Sequence, residues 1–360
     1  MSAGAVDHGA ARPDVSVVIV SWNTSSLLRD CLASVYADRG GVDFEVIVVD
    51  NASSDDSVPM VRIEFPKVQV IRNASNKGFV AANNQAFEIA RGRYVLLLNS
   101  DTLVLDDAVS KVVRYADSRP EGAVFGCKVL NADRSLQRTC FMYPSPLNML
   151  LQSTFAYKAF PRSRFFGREF MTWWDYSDER RVQTICGCFS LVRRTAMEAV
   201  GYMDPIYFFY GDDPDWCYRF AKAGWEIRYF PGASIVHFGG QSSRRMRRAF
   251  RLQLTGSQLI FCRLHRSRPA FVAAKLLSAL FYLLRIPAWL LKAGLAPKER
   301  KAHMETVGTY ALGFLYCLFD WKRLVMNRKE LEARLSPAGA AKPIPRGEAG
   351  LIAPSPPGKA

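Results

Sequence analysis

The chain of 360 residues contains no cysteine pair at C-x-x-C spacing; its eight cysteines are scattered, and the closest two, Cys186 and Cys188, flank a single glycine. That excludes the usual zinc spacings and a disulfide framework, and reduced thiols in a cytoplasmic compartment are the simplest account. Residues 1–14 are small and polar, read as a disordered N-terminus and lack the apolar core of a signal peptide. Acidic side chains are in deficit: 33 Asp and Glu stand against 48 Lys and Arg, for a net charge of +15. This balance favours anionic partners, whether nucleotides, lipid headgroups, diphosphate-linked lipids or nucleic acid, and does not choose among them. No internal repeat is evident. Apolar residues are not scarce. They make up 49% of the chain, with 23 Phe and 7 Trp, which is ample for a sizeable core. The length suits a catalytic domain with an appendage.

From residue 15 onward, strand and helix signals alternate. Val15-Ser16-Val17-Val18-Ile19-Val20 is a β-branched run of the kind a buried parallel strand uses. Asn23-Thr24-Ser25-Ser26 offers N-caps for a helix whose Leu27, Leu28, Cys31, Leu32 and Val35 share one face. Strands are predicted at 44–49, ending in Asp50, at 68–71, at 94–98, ending at Asn99-Ser100-Asp101, and at 123–130. Helices are predicted at 78–90 and 106–116. Residues 131–183, rich in aromatics and arginine, read as an insertion or lid. A strand at 184–192 follows. Tyr207-Phe208-Phe209-Tyr210 then leads into Gly211-Asp212-Asp213-Pro214-Asp215-Trp216 and a helix to Ala223, with Gly224 as its C-cap. Two more strands, 225–230 and 234–238, complete the pattern. The rhythm implies a doubly wound, mostly parallel α/β sheet with helices on both faces, in which ligands lie beyond the carboxyl ends of the strands. Three polar clusters fall there in succession: Ser21-Trp22-Asn23, Asp50-Asn51-Ala52-Ser53 and Asn99-Ser100-Asp101. Together they mark a binding rim.

Beyond Gln241 the character changes. Arg244, Arg245, Arg247, Arg248 and Arg251 form a basic run, and residues 271–291 and 307–319 are strongly apolar. The first apolar segment carries Lys275, Arg285 and Pro287, so neither is a clean span of about 20 uncharged residues. Two readings stand side by side: helices lying in a membrane interface, or a helical hairpin packed on the catalytic domain or a second subunit. Residues 336–360, rich in Pro, Ala and Gly, read as a disordered tail.

The acidic residues suit group transfer from a nucleoside diphosphate. The leaving diphosphate gathers negative charge, which a divalent cation held by carboxylates offsets. The acceptor hydroxyl is a poor nucleophile, and a positioned carboxylate that takes its proton gives roughly 10²–10⁴-fold. Asp101, directly after a hydrophobic strand, is the candidate ligand for Mg²⁺ or Mn²⁺, against capping of its own turn. Asp213 is the candidate base, against the helix-capping role that Asp213 and Pro214 equally suit. The crowding of Asp212, Asp213 and Asp215 exceeds what one cap needs, and like-charge crowding raises a carboxyl pKa. His237, at a strand end before Phe238-Gly239-Gly240-Gln241-Ser242, is placed to complete a metal site or to serve structurally. Asp50 is placed to accept from a pyrimidine N–H. Asn76-Lys77-Gly78 precedes a helix whose N-terminus favours anions, and Lys77 is placed to pair with phosphate or lie in solvent.

The stretches 17–23, 48–55, 73–79, 96–102, 208–216 and 237–242, in this order and spacing, resemble the family 2 glycosyltransferases of the GT-A fold, in particular the rhamnosyltransferase-like branch of bacterial cell-wall and O-antigen enzymes. The resemblance covers residues 15–243 as the catalytic domain and leaves 244–335 as a helical extension. It implies inverting, single-displacement transfer from a nucleotide sugar, with dTDP-rhamnose as the expected donor and a lipid-diphosphate-linked saccharide as the expected acceptor. Asp50 would read the base. Ser21, Asn23, Asn76, Lys77, Gly78 and Ser100 would line the donor site, and Asn99 and Asp101 would correspond to the DxD element. Asp101 and His237 would hold the cation, Asp213 would be the base, and Gly187 would line the sugar pocket. The chain departs from the family pattern in having Asn99 where Asp is usual and Asp212 where Glu is common, which leaves Asp212 and Asp213 as alternatives for the base. The Q-x-x-R-W signature of processive synthases is absent, which favours one addition per encounter. The expected location is cytoplasmic, peripheral on the inner face of the membrane. A non-catalytic glycan- or nucleotide-binding protein is the competing class. Nucleic acid is the less favoured partner, because the positive charge sits beside the apolar helices.

Overall fold

The computed structural model describes residues 12–239 and 247–336. Most of both predicted disordered ends, the stretch Gly240-Gln241-Ser242, and Arg244 and Arg245 lie outside the described residues.

The first half follows the predicted alternation. Val15–Ser21 (β1), Ser25–Tyr36 (α1), Phe44–Asp50 (β2), Ser57–Glu64 (α2), Gln69–Arg72 (β3), Phe79–Ile89 (α3) and Tyr94–Asn99 (β4) come first. Thr102–Leu105 (β5), Ala108–Asp117 (α4) and Gly122–Leu130 (β6) follow. The expected insertion holds Leu136–Gln137 (β7), Cys140–Phe141 (β8), Pro146–Ser153 (α5), Ala156–Ala159 (α6) and Arg180–Arg181 (β9). Thr184–Ile185 (β10), Phe189–Arg193 (β11), Arg194–Val200 (α7), Asp212–Lys222 (α8) and Glu226–His237 (β12) close the sheet region. The C-terminal helices are Arg247–His265 (α9), Arg268–Leu283 (α10), Ile286–Leu295 (α11), Arg300–Phe319 (α12) and Arg328–Leu335 (α13).

The sheet is mixed, in the order β3-β2-β1-β4-β11-β6-β12-β5, with β7 on β6 and β9 on β12. β1, β2, β3 and β4 are mutually parallel, whereas β11 runs antiparallel to both β4 and β6. Strand pleating sends alternate residues to opposite faces. Val18 and Leu97 enter one core with Val80, Phe87, Trp216 and Phe220, while Val17, Ile19 and Leu96 enter the other with Leu32, Val112 and Phe125. Each apolar layer covers one sheet face, as the continuous β-branched runs require.

Register places the rim. Ser21 pairs with Asp50, Val20 with Asn99, and Asp50 with Arg72, so the carboxyl ends of four strands finish together. Several predicted elements differ from the observed ones. The strand expected at 184–192 is two strands, because Cys186-Gly187-Cys188 turns between them and β10 leaves the main sheet to pair with β8. The two strands expected between 225 and 238 are one strand with a register shift between Phe230 and Ser234. The short helix α2 and the strand β5 carried too little periodicity to be predicted. β5 has a direct consequence: its antiparallel pairing with β12 sets His237 opposite Thr102, beside the Asn99-Ser100-Asp101 turn.

The extension packs on the catalytic unit. Ile260, Val325 and Leu331 join the main core, and Leu259, Cys262, Ala279 and Tyr282 form a further cluster with Met149 of α5. Despite its four basic residues, the segment Arg268–Leu295, 28 residues long, is long and apolar enough to cross a membrane by length and composition. Its polar interior positions are tied to protein. Arg285 donates to the carbonyls of Gln152 and Ser153 at 3.1 and 3.3 Å and lies over the rings of Phe155 and Phe281.

Candidate active site

The rim after β1 is cross-linked by its own hydrogen bonds. Ser21 is fully buried, and its hydroxyl meets that of Thr24 at 3.0 Å, which in turn meets that of Ser100 at 3.0 Å. This hydroxyl chain joins the first polar cluster to the third inside the wall. Thr24, at the predicted cap of α1, makes no cap bond because its oxygen belongs to this chain. Asn23 stands at φ 55°; its N–H donates to Ser53 Oγ at 2.9 Å, and its Oδ1 accepts from Ser54 N at 2.8 Å. Asn23 therefore holds the loop after β2 against the loop after β1. Left-handed backbone suits asparagine better than most other side chains.

Asp50 is 1% exposed. Its Oδ2 accepts from Ser53 N at 3.3 Å, while Oδ1 is buried without a partner. A buried carboxylate oxygen left bare costs free energy, and such an atom at a binding rim marks a place where a ligand N–H fits. Its neighbour Asn51, which the site prediction omitted, organises the next loop. Asn51 Nδ2 donates to Asn76 Oδ1 at 2.9 Å and to Gly78 O at 3.1 Å, and Oδ1 accepts from Asn73 Nδ2 and Lys77 N. The Lys77 side chain is exposed. Gly78 has φ +86°, and a Cβ there would lie 2.7 Å from the Phe208 ring. Only glycine permits both that backbone and that approach. Phe208 O accepts from Phe79 N at 2.8 Å, so the aromatic loop before α8 closes over the N-terminus of α3. The predicted anion site there is partly occupied by protein.

Asp101 and His237 come together. His237 Nε2 lies 3.3 Å from Asp101 Oδ1 and 3.2 Å from Asn99 Nδ2. Nδ1 lies 2.6 Å from Gln137 Oε1, and Gln137 Nε2 donates to His237 O at 3.2 Å and to Asn131 Oδ1 at 2.8 Å. That pattern fixes the amide orientation, so Nδ1 carries the proton and Nε2 presents a lone pair toward Asp101. A metal-binding imidazole is usually held in this way, with its far N–H given to an acceptor. Ligands adjacent in an octahedron at about 2.1 Å from the ion lie about 3 Å apart, close to the separation seen here. The pair thus fits a divalent cation. Among the described residues no group of three or more His, Cys, Asp or Glu is placed to hold a metal ion, so Asp101 and His237 stand as a pair. Sites of this kind complete their coordination with substrate phosphates. Gln137 was missed because a two-residue strand leaves no periodic signal.

The acidic turn resolves into three different carboxyls. The N-cap of α8 is Gly211, in left-handed conformation, and no side chain caps the helix. Asp213 lies inside the first turn, so the predicted capping role is not realised. Asp212 is 4% exposed, and burial, then the charge of Asp213, push it well above the ordinary carboxylate range. Asp215 is 1% exposed; burial would raise it, but Arg219 at 2.9 Å and His265 at 2.7 Å hold it below that range. Asp213 alone of the three is partly exposed. Desolvation, then the neighbouring Cys186 thiol, raise its pKa well above the usual value, while the N–H of Gly187 acts in the other direction.

The Cys186-Gly187-Cys188 turn joins the two acidic motifs. A Cβ on Gly187 would stand 2.8 Å from Asp213 Oδ1, and the carbonyl of Cys188 accepts from Asn99 N at 3.1 Å. Cys186 feels the charges of both Asp212 and Asp101. Two acidic motifs more than 110 positions apart in sequence thus meet across one turn.

Comparison with known proteins agrees with this architecture. A mannosyltransferase of Pyrobaculum calidifontis, solved in complex with GDP-Man and Mn²⁺, shares the fold at TM-score 0.52 and 17% identity, covering 86% of this chain and 88% of that one. N-acetylglucosaminyl-diphospho-decaprenol L-rhamnosyltransferase of Mycobacterium tuberculosis is 26% identical over 243 residues, 64% of this chain and 77% of the relative. The succinoglycan biosynthesis protein ExoO of Rhizobium meliloti is 34% identical over 107 residues, 29% of this chain and 30% of the relative. An uncharacterized protein of M. tuberculosis matches over 40% of its own length, so the shared stretch is well under half of some relatives. The family profile described as glycosyltransferase like family 2 matches residues 13–255, and with that much of its length matched the chain belongs to glycosyltransferase family 2.

Proposed function

We propose that this enzyme transfers a sugar with inversion from a nucleoside diphosphate to a saccharide hydroxyl, with Asp213 as the base. The observation that carries the reading is the Cys186-Gly187-Cys188 turn, which has Asp213 against Gly187 on one side and Asn99 bonded to Cys188 on the other. The accessible Asp213 is preferred to the buried Asp212. As the acceptor oxygen bonds to the anomeric carbon, its proton passes to Asp213 and the sugar–phosphate C–O bond breaks on the opposite face, its electron pair leaving with the diphosphate. A raised pKa keeps Asp213 basic enough to take that proton. Asp101 and His237 would hold a cation, which when bound offsets the charge of the leaving diphosphate. The hydrogen bond from Asn99 to His237 would yield to the ion, and Asn99 itself adds no charge. An imidazole beside a carboxylate suits Mn²⁺ better than Mg²⁺. Asp50 would accept from the pyrimidine base.

The donor we propose is dTDP-rhamnose and the acceptor a lipid-diphosphate-linked saccharide of cell-wall or polysaccharide synthesis. The named activity of the M. tuberculosis relative supports the rhamnosyl group and the lipid-diphosphate acceptor. A screen of dTDP-, UDP- and GDP-sugars by nucleotide release tests the donor. Fastest turnover is expected with dTDP-rhamnose, and a UDP- or GDP-hexose turned over faster would overturn the choice.

The same reading places the protein on the cytoplasmic face of the membrane through α10 and α11. Val272 and Leu276 face outward on α10. α11 is apolar almost all round yet exposed, with Leu291 at 64% and Leu295 at 75%. An exposed helix of that composition needs an apolar partner. Besides the buried Arg285, six basic residues (Arg268, Lys275, Lys292, Lys298, Arg300 and Lys301) and one acidic residue, Glu299, occupy this region, which suits anionic headgroups. Arg285, bound to α5 carbonyls, keeps one side of α10 on protein and favours lying in the interface over crossing it. The protein should co-sediment with vesicles containing anionic lipid. Replacing Leu291 and Leu295 by serine should reduce the bound fraction several-fold, since each buried CH₂ contributes about 0.8 kcal/mol. Equal sedimentation of the variant would argue against this face.

A further inference from the structure

The third carboxylate of the acidic turn has no chemical task in the proposed reaction. What it does instead ties the C-terminal helices to the base. Asp215 Oδ2 accepts from Arg219 Nε at 2.9 Å, and Oδ1 accepts from His265 Nε2 at 2.7 Å. An ionised carboxylate only accepts, so Nε2 of His265 carries the hydrogen. His265 is the last residue of α9, beyond residue 255 where the family match ends. Its ring is wedged between Tyr218 and Phe261, at centroid distances of 4.6 and 4.9 Å.

A second contact lies further back on the same helix. A Cβ on Gly211 would stand 2.6 Å from Ser257 Cβ, so α9 passes directly against the residue that starts α8. Ser257, Phe261 and His265 recur every four residues and therefore share one helical face. That face brackets the first turn of α8, touching it before Asp212 and again at Asp215, with Asp213 between the two contacts. Arg219 extends the grip, donating to Val200 O at 3.2 Å and to Tyr202 O at 2.8 Å.

We propose that His265 is a positioning residue: by holding Asp215 it fixes the first turn of α8 and so the direction in which Asp213 presents its carboxylate. The proposal rests on Asp213 being the base. It makes α9 the back wall of the active site, so the extension belongs to the catalytic unit. Small displacements of a reacting group, of about 1 Å, cost on the order of 10²-fold in rate, so loss of the bond should be read in kcat.

The test uses the full chain and two readouts, hydrogen exchange and steady-state kinetics. In His265→Ala, backbone amides of residues 207–218 should exchange on the order of tenfold faster, as expected for a lost buried bond to a charged group, while β1 and β4 stay unchanged. kcat should fall on the order of 10- to 100-fold with donor affinity unchanged. His265→Gln, whose amide N–H can reach Asp215, should recover most of both losses. Leu259→Ala loosens α9 in the separate cluster with Met149 and Tyr282, away from the His265 ring, and should lower Tm without a matching loss of kcat. Unchanged exchange at 207–218 in His265→Ala would overturn the proposal, as would a kcat that merely follows Tm across the His265→Ala and Leu259→Ala variants. Faster exchange together with turnover retained in Asp213→Asn would instead sink the base assignment and leave the clamp standing.

Discussion

Replacing Asp213 by asparagine is expected to lower kcat by roughly 10²–10⁴-fold while donor affinity changes less than about twofold, because the amide keeps the shape but cannot accept the acceptor's proton. Calorimetric titration of the donor beside turnover measures both. Retained turnover would remove Asp213 from the mechanism. The pH profile supplies an independent reading. Burial, then Cys186, raise the Asp213 pKa, so in the wild type activity should fall as pH drops through a value above the ordinary carboxylate range. The neighbouring Asp212 gives the control. Its folded pKa is also raised, so its contribution to stability is fully present below the unfolded pKa and is lost as pH rises through the folded pKa. At neutral pH its burial is therefore a liability. Asp212→Asn should raise stability there by about 1–2 kcal/mol, and the gain should vanish near pH 3. Thermal melts across that range check the sign; destabilisation at pH 7 would show that Asp212 is held charged by partners. The contrast between the two variants, one inactive and one stabilised, would separate residues that sequence alone leaves as alternatives.

The second large effect concerns the cation. Chelation is expected to abolish turnover and added Mn²⁺ to restore it, and Asp101→Ala should cost roughly 10²–10³-fold in kcat, corresponding to several kcal/mol of stabilisation of the leaving diphosphate. Gln137→Ala is the more discriminating variant. It touches no substrate in this reading, yet it removes the acceptor that fixes the His237 tautomer. Metal affinity should weaken by about 10- to 100-fold, measured as the Mn²⁺ concentration for half-maximal activity, with kcat at saturating Mn²⁺ nearly unchanged. If chelation leaves activity intact, the Asp101 and His237 pair is a structural hydrogen-bonded contact and diphosphate departure relies on cationic side chains.

Much of the catalytic half was legible because its signals are local. A β-branched run such as residues 15–20 makes a buried strand wherever it lies, and the polar residues that stop each run fall at strand ends by construction. Asp50 and Asp101 stand out as candidates for the same reason, their place after hydrophobic strands. The elements that were misjudged are those in which local pattern and tertiary setting conflict. Cys186-Gly187-Cys188 sits within an apolar stretch and reads as strand interior, yet a turn there is required to bring Gly187 against Asp213. Asp213-Pro214 has the composition of a cap and first turn, yet Gly211 takes the cap position because the chain must pass close to Ser257.

The residue choice in the acidic turn could not be read at all from spacing. Asp212, Asp213 and Asp215 are chemically identical, and what separates them is burial and partners: Cys186 and Gly187 beside Asp213, and Arg219 and His265 on Asp215. The metal pair is similar: Asp101 and His237 are 136 residues apart, and they meet because β5 pairs with β12. By itself, the sequence determined the strand and helix rhythm, the rim of polar strand ends and the family, since each depends on short-range pattern and ordered motifs. Only the tertiary structure decided which carboxyl is reachable, which is buried, and which is spent holding the C-terminal helices, because desolvation and ion pairing are set by groups that the chain brings together from afar.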